Sequence, residues 1–171
     1  PAPLLHWPDT MFTYLADQRI LFTCDAFGGY GALPGFIFDD QCPDLDFYKQ
    51  ESLRYYSNIV ARFSPAVKKA VKKVREAGLA IDVIAPGHGL VWRKDPAAIV
   101  SLYEKWADYF EGNAEPAVCL VYASMYGNTE RYADTVAQGI ASCGVPVEVF
   151  DLARTHASYI LPSVLKCRGL V

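Results

Sequence analysis

The chain has 171 residues, of which 52% are hydrophobic and 20% are charged, so it can bury one or two hydrophobic cores. A net charge of −3 argues against a nucleic-acid-binding protein, because such proteins usually carry a basic stripe. No apolar run approaches the ~18 residues of a membrane-spanning helix, and residues 1–3 lack the basic start of a signal peptide. We therefore expect a cytoplasmic protein that binds neither nucleic acid nor membrane.

The cysteines and the chain ends give two further expectations. The five cysteines lie at positions 24, 42, 119, 143 and 167, with no CxxC spacing. An odd number at such spacing favours reduced, buried side chains over a disulfide framework. The chain begins without Met and stops at Val171, apparently early in a strand, so we expect a fragment of a longer protein.

The first half alternates strand-like and helix-like segments. Apolar runs over 11–16 and 20–24 predict a β-hairpin, and the glycine-rich stretch 27–46 predicts a long, functional loop. Helices are predicted over 47–63 and over 65–77, the second with Ser64 as its N-cap. A third helix is predicted from Pro96 after Asp95, with inward-facing residues Ile99, Leu102, Tyr103 and Trp106. A buried strand over 80–85 is expected to end in the turn PGHG (86–89).

The second half has a different pattern, which begins after a short polar segment. The sequence predicts a strand over 117–123, a loop over 124–129, a helix over 129–143 and a strand over 145–152. This order is typical of a βαβ unit in a parallel sheet. We therefore predict an α/β protein with domains over 1–112 and 117–171, joined by a linker over 113–116.

The loop over 124–129 is a candidate phosphate site. It joins a predicted strand to a helix, and it is rich in small hydroxyl and amide residues. The N–H groups at the start of a helix point outward and the helix dipole favours an anion. A plain β–α turn with an N-cap is the alternative interpretation. The loop contains neither a P-loop lysine nor the GxGxxG fingerprint of dinucleotide-binding proteins.

The run VYASMYGNT (121–129) resembles the phosphate-binding loop of flavodoxin-like domains, which hold flavin mononucleotide (FMN). The resemblance covers residues 117–171, about the first third of such a domain. It implies that Ser124, Tyr126, Asn128 and Thr129 bind the flavin phosphate and that Met125 and Gly127 make backbone contacts. The later loops that enclose the flavin ring lie outside this chain.

Three residues of the first half are candidate metal ligands. His88 lies between two glycines directly after a predicted strand, so its imidazole can project from the sheet edge. Asp25 likewise follows an apolar strand, and His6 precedes the first one. Taken singly, each has a structural alternative, as a half-buried histidine with a backbone partner or an aspartate that caps a turn.

Together, these three residues resemble the second half of the metal site of the metallo-β-lactamase superfamily. The runs HWPDTMFTY (6–14), LFTCDAFG (21–28) and IAPGHGLVWR (84–93), followed by a flavodoxin-like loop, are similar to flavodiiron proteins over essentially the whole chain. The implied fold is the C-terminal half of an αββα metallo-β-lactamase-like domain followed by the start of a doubly wound flavodoxin-like sheet. The family often has Trp where this chain has Tyr126.

The resemblance implies an oxidoreductase with two non-haem irons that reduces dioxygen to water or nitric oxide to nitrous oxide. His6 and His88 would bind different irons and Asp25 would bridge them, while FMN would pass on electrons from a rubredoxin-like donor. A head-to-tail homodimer is implied. Alternatives are a zinc metallo-hydrolase with an accessory domain and a flavin-binding module whose metal site has decayed. The fragment alone is expected to be inactive, and His156 is expected to be structural.

Overall fold

Strands and helices alternate along the chain, which the computed structural model describes from Pro1 to Val171. The strands are β1 (Thr13–Leu15), β2 (Ile20–Phe22), β3 (Val83–Ala85), β4 (Glu115–Tyr122), β5 (Val147–Asp151) and β6 (Cys167–Leu170). The helices are α1 (Leu45–Tyr55), α2 (Ser64–Glu76), α3 (Pro96–Phe110), α4 (Asn128–Ser142) and α5 (Ala157–Lys166). No helix combines the length and the apolar character needed to cross a bilayer.

The chain forms two units, Pro1–Ala107 (the first unit) and Asp108–Val171 (the second unit). The domain limits predicted from the sequence, 1–112 and 117–171 with a linker over 113–116, stay a prediction. Strand β4 begins at Glu115, so two residues of the expected linker belong to a strand.

The sheet of the first unit has the order β1-β2-β3, with β1 antiparallel and β3 parallel to β2. Leu21 on β2 pairs with Ile84 on β3, and both are buried. The strands are three residues long, shorter than the apolar runs that predicted them. Strand β2 ends early because Cys24 adopts a left-handed backbone conformation (φ 54°), which turns the chain out of the sheet.

Helices α1 and α2 form one nearly continuous helical segment. Asp44 caps α1 by accepting a hydrogen bond from the backbone N–H of Phe47 at 3.0 Å. A π turn (Tyr56–Val60) and a 3-10 turn (Ala61–Phe63) then lead directly into α2. The prediction that Ser64 is an N-cap is wrong, because the backbone is already helical there. Its hydroxyl instead donates to the carbonyl oxygen of Ala61 at 2.7 Å.

An aromatic cluster fills the core of the first unit. Of the predicted inward residues of α3, Ile99, Tyr103 and Trp106 are buried, whereas Leu102 is only partly buried. Asp95 accepts from the N–H of Ala98 at 3.2 Å. The rings of Tyr56, Tyr103 and Trp106 lie with their centroids 5.0–5.4 Å apart, within the range of favourable aromatic pairs.

A buried carboxylate, Asp39, fixes the far end of the long loop. Its two oxygens accept hydrogen bonds from the backbone N–H groups of Arg93, Lys94 and Asp95 at 3.0–3.4 Å. Beside it, Phe38 forms an isolated β-bridge with Val91. Three backbone N–H groups would lose their acceptor without Asp39, so this carboxylate ties the loop to the segment before α3.

The second unit is a parallel sheet of order β5-β4-β6, as the predicted βαβ unit requires. Helix α4 packs on β4 and β5, whereas α5 packs on β4 and β6. Because parallel crossovers are right-handed, the two helices cover opposite faces, and the connections diverge at the carboxyl end of β4. Open α/β sheets bind ligands at such a switch point, which here is the start of the 124–129 loop.

All five cysteines are free, and their environments differ. Cys119 and Cys167 pack with Ile160 in the core of the second unit, as the sequence predicts for buried thiols. The prediction is wrong for Cys24 and Cys143, which are exposed. Cys24 lies in the turn after β2, and Cys143 is the C-cap residue of α4.

A charged network on β5 predicts a pH-dependent stability of the second unit. Glu148 accepts from Ser163 Oγ at 2.5 Å and pairs with Lys166 Nζ. Burial opposes the charge of Glu148, but the bonds from Lys166 and Ser163 outweigh it and hold the pKa of this carboxyl below its usual value. A lowered pKa in the folded state stabilises the protein above the unfolded pKa, and this contribution is lost as pH falls through the folded pKa.

We expect Glu148→Gln to unfold more easily than the original chain at pH 7, by up to ~1 kcal/mol for this partly exposed pair. The difference should shrink below about pH 4.3, where the unfolded carboxyl becomes protonated, and vanish once the folded one is protonated too. Urea unfolding of both proteins at several pH values measures it. A difference that stays constant down to about pH 3 would contradict the lowered pKa.

Candidate functional site

The three predicted metal ligands lie together at one edge of the first sheet. Asp25 Oδ2 is 3.1 Å from His6 Nε2, and Asp25 Oδ1 is 3.6 Å from His88 Nε2. Each carboxylate oxygen therefore faces a different imidazole. No group of three or more His, Cys, Asp or Glu side chains converges to hold one metal ion. The geometry instead suits a carboxylate shared by two ions, each of which also takes one histidine.

A tight turn after β2 projects Asp25 from the sheet edge. Thr23 continues the pairing of β2, with its N–H donating to the carbonyl oxygen of Ala85 at 3.2 Å. Its buried hydroxyl donates to the carbonyl oxygen of Ala26 at 2.7 Å and closes the turn. The left-handed Cys24 between them reverses the chain direction, so that Asp25 points away from the sheet and remains half-buried.

His88 is oriented by the backbone of the glycine-rich loop. Its Nδ1 lies 3.1 Å from the carbonyl oxygen of Gly29. A carbonyl can only accept a hydrogen bond, so Nδ1 donates to it, and Nε2 is the nitrogen that faces Asp25. A histidine that binds metal through one nitrogen commonly donates from the other in this way.

Two glycines allow His88 and the glycine-rich loop to pack in direct contact. A Cβ on Gly28 would lie 2.6 Å from Cε1 of His88, closer than real Cβ contacts allow. Gly89 has φ +79°, and a Cβ there would lie 2.6 Å from the backbone nitrogen of Gly29. The glycines around His88 therefore bring two backbone segments and an imidazole into direct contact.

His6 lies in a compact N-terminal turn. The N–H of Leu4 donates to the carbonyl oxygen of Trp7 at 2.8 Å, and the N–H of Trp7 donates to Thr10 Oγ1 at 3.3 Å. The ring of Trp7 lies beside that of His6, with centroids 5.4 Å apart. These local contacts hold the imidazole beside Asp25.

Tyr55 borders the site, although the sequence interpretation passed over it. Its ring packs edge-on against His88 with centroids 4.5 Å apart, and its buried hydroxyl has no hydrogen-bond partner. Burial and, next, the charge of Asp25 raise the pKa of the Tyr55 hydroxyl, so it stays protonated. An unpartnered O–H inside the protein is costly unless something binds there. The signal that could have found it is a polar atom on the buried face of the helix predicted over 47–63.

The 124–129 loop connects β4 to α4, as predicted. The N–H of Gly127 donates to Ser124 Oγ at 3.0 Å, and Gly127 has φ +81°, which turns the chain into the helix. Met125 and Tyr126 are 85% and 87% exposed, and Asn128 and Thr129 form the first turn of α4. The loop thus exposes the start of a 15-residue helix at the switch point of the sheet. The carboxylate of Glu130 lies in the same first turn.

Known proteins resemble both units of the chain. Residues 120–166 match the family described as flavodoxin. The anaerobic nitric oxide reductase flavorubredoxin of Aliivibrio salmonicida is 41% identical over 172 residues, which cover 99% of this chain and 34% of that protein. The nitric oxide reductase of Moorella thermoacetica is 36% identical over 170 residues, covering 99% of this chain and 41% of that protein.

Solved structures give the same comparison in three dimensions. The rubredoxin oxygen:oxidoreductase from Desulfovibrio gigas superimposes with a TM-score of 0.90 at 29% identity, covering 99% of this chain and 41% of that one. A flavoprotein from Thermotoga maritima has a TM-score of 0.81 at 31% identity, with coverages of 99% and 41%. The chain thus spans well under half the length of the proteins it matches.

Proposed function

We propose that this chain is part of a flavodiiron protein and that it supplies part of a diiron centre and part of an FMN site in an enzyme that reduces nitric oxide or dioxygen. The predicted α/β fold, with a flavodoxin-like parallel sheet in the second unit, is confirmed by the same comparisons. The curated relatives cited above are named nitric oxide reductases, and the D. gigas structure is named an oxygen oxidoreductase.

The observation that carries the proposal is the Asp25 carboxylate with one imidazole facing each oxygen. In the proposed site, His6 and His88 would hold different irons and Asp25 would be shared between them. Carboxylate and imidazole ligands fit iron that keeps open coordination positions. The irons would supply binding positions and electrons for a diatomic gas molecule.

The chain's own residues prepare this site. The carbonyl oxygen of Gly29 fixes the Nδ1–H form of His88, which leaves Nε2 free for metal. Tyr55 keeps its proton because it is buried, and its hydroxyl can donate a hydrogen bond to a ligand bound beside His88. Tyr55 is buried and its ring packs against His88.

The second unit would hold the flavin phosphate. Ser124, Tyr126, Asn128 and Thr129 are the proposed phosphate ligands, with backbone contacts from Met125 and Gly127. The exposed N-terminus of α4 supports this assignment, since its N–H groups and dipole favour an anion. FMN would carry electrons toward the irons. A rubredoxin-like donor, a head-to-tail homodimer and a cytoplasmic location belong to the same proposal.

The test uses the protein encoded by the longest open reading frame that contains this chain, purified without oxygen. Metal analysis should find about two irons per chain together with a flavin absorption spectrum. The reduced protein should then consume nitric oxide, dioxygen or both. Zinc without flavin, and no gas consumption, would contradict the proposal and favour a zinc metallo-hydrolase.

A further inference from the structure

Three consecutive carbonyl oxygens in the loop after Asp25 each accept a hydrogen bond from a side chain. Phe27 accepts from Trp92 Nε1 at 3.0 Å, Gly28 from the hydroxyl of Tyr103 at 3.2 Å, and Gly29 from Nδ1 of His88 at 3.1 Å. Trp92 and Tyr103 come from different segments, and both side chains are at most 1% exposed. Water cannot replace these two bonds, so the loop backbone is fixed from the core side.

We propose that Tyr103 is a positioning residue of the metal site. It does not touch the ligands itself. By holding the carbonyl of Gly28, it fixes the adjoining Gly29 carbonyl, which in turn holds His88 with Nε2 toward Asp25. The inference rests on the proposed function, because it assigns Tyr103 a role in the metal site described there.

The close packing around Gly28 explains how a hydroxyl on α3 can affect an imidazole. The place where a Cβ of Gly28 would lie is 2.6 Å from Cε1 and 2.8 Å from Nδ1 of His88, so no side chain separates this backbone from the ring. Gly89, on the other side of His88, approaches the backbone of Gly29 equally closely. A small shift of the Gly28 carbonyl must therefore move either the ring or its Nδ1 acceptor.

Tyr56 offers a matched control in the same aromatic cluster. Tyr56 and Tyr103 are both fully buried, and their ring centroids are 5.0 Å apart. Each loses a buried hydroxyl when it is replaced by phenylalanine. The hydroxyl of Tyr56, however, bonds to Ser64 Oγ at the start of α2 at 2.7 Å. A loss of iron affinity in both variants would be a general effect on the structure. A loss found only in Tyr103→Phe would show that Tyr103 positions His88.

The experiment compares Tyr103→Phe and Tyr56→Phe in the protein from the longest open reading frame. Ferrous iron affinity is measured on the metal-free protein by competition with a chelator, and urea unfolding shows whether both variants are folded. We expect Tyr103→Phe to weaken iron binding about tenfold, the lower end of the effect of removing a direct partner of a metal ligand, because Tyr103 acts through the Gly28 and Gly29 backbone. Tyr56→Phe should change it less than about twofold.

A second measurement needs no metal. Nitrogen-15 NMR of the His88 side chain at fixed, slightly alkaline pH reports which ring nitrogen carries the proton. The Nδ1–H form should dominate in the original protein and in Tyr56→Phe, and both forms should be populated in Tyr103→Phe. Unchanged iron affinity and tautomer in Tyr103→Phe, or equal losses in both variants, would overturn the inference. Failure of the original protein to bind iron would instead count against the proposed function, since the tautomer is read without metal.

Discussion

Replacing Asp25 with alanine is expected to weaken iron binding by at least ~100-fold, more than the loss of an outer partner causes, and to abolish gas reduction. The reason is that one carboxylate faces both imidazoles, with its oxygens 3.1 Å and 3.6 Å from His6 and His88. Its removal would take a ligand from both of the proposed irons at once and would leave the two histidines without a shared partner. Iron content, chelator competition and nitric oxide consumption measure the loss.

Asp82→Ala is the control for that substitution. Asp82 lies just before β3 in the same unit, is half-exposed, and pairs with Arg19 and not with the site. Its replacement should leave iron content and gas consumption unchanged, because a half-exposed ion pair contributes little. Asp25→Ala protein that still holds about two irons per chain would show that this carboxylate does not bridge metals.

Replacing Gly89 with alanine is expected to lower the free energy of unfolding by ~3 kcal/mol or more, through backbone strain and steric overlap. A Cβ at this position would meet the nitrogen, oxygen and Cα of Gly29 at 2.6–3.2 Å. Those atoms are backbone, and the Gly29 carbonyl also holds His88, so they cannot move away without disturbing the site. Urea unfolding measures the stability, and metal analysis of the folded fraction measures the damage to the site.

Gly78→Ala is the control that separates backbone strain from steric overlap as causes of the loss of stability in Gly89→Ala. Gly78 has φ +61°, also left-handed, but nothing lies within 4 Å of the position its Cβ would take. Alanine there should cost only the conformational term, about 1 kcal/mol. The difference between the two variants gives the energetic cost of the close approach at Gly89. Equal losses of stability would mean that the approach does not constrain the protein.

The strand-end position of the candidate ligands could be predicted from the sequence. Asp25 and His88 each follow an apolar run and are flanked by glycine-containing segments, and side chains at such places project from a sheet edge. The location of His6 beside them came from the family resemblance alone. Its position depends on contacts within the N-terminal turn, such as that between Trp7 and Thr10, which periodicity does not reveal.

Tyr55 and Tyr103 show what the sequence could not reveal. The helical spacing over 47–63 does not single out Tyr55, although its ring is buried against His88. Tyr103 was correctly predicted to face inward. Its bond to the Gly28 carbonyl, however, depends on tertiary packing over 75 sequence positions. Apolar spacing reports burial, but it does not report where a buried hydroxyl finds its partner.

The attachments of the loop after Asp25, including the buried Asp39, determine where this loop can change in length. The loop after Asp25 is held near its start by hydrogen bonds from Trp92 and Tyr103 and at its far end by the bonds to Asp39. Between them, the hydroxyl of Tyr48 donates to the carbonyl oxygen of Ala32. Between these attachments, residues 33–35 form a tip, where a Cβ on Gly35 would meet no atom within 4 Å. Loop length adds little entropic cost to such a segment. Insertions there can reshape the outer surface during evolution while Asp25 and His88 keep their places.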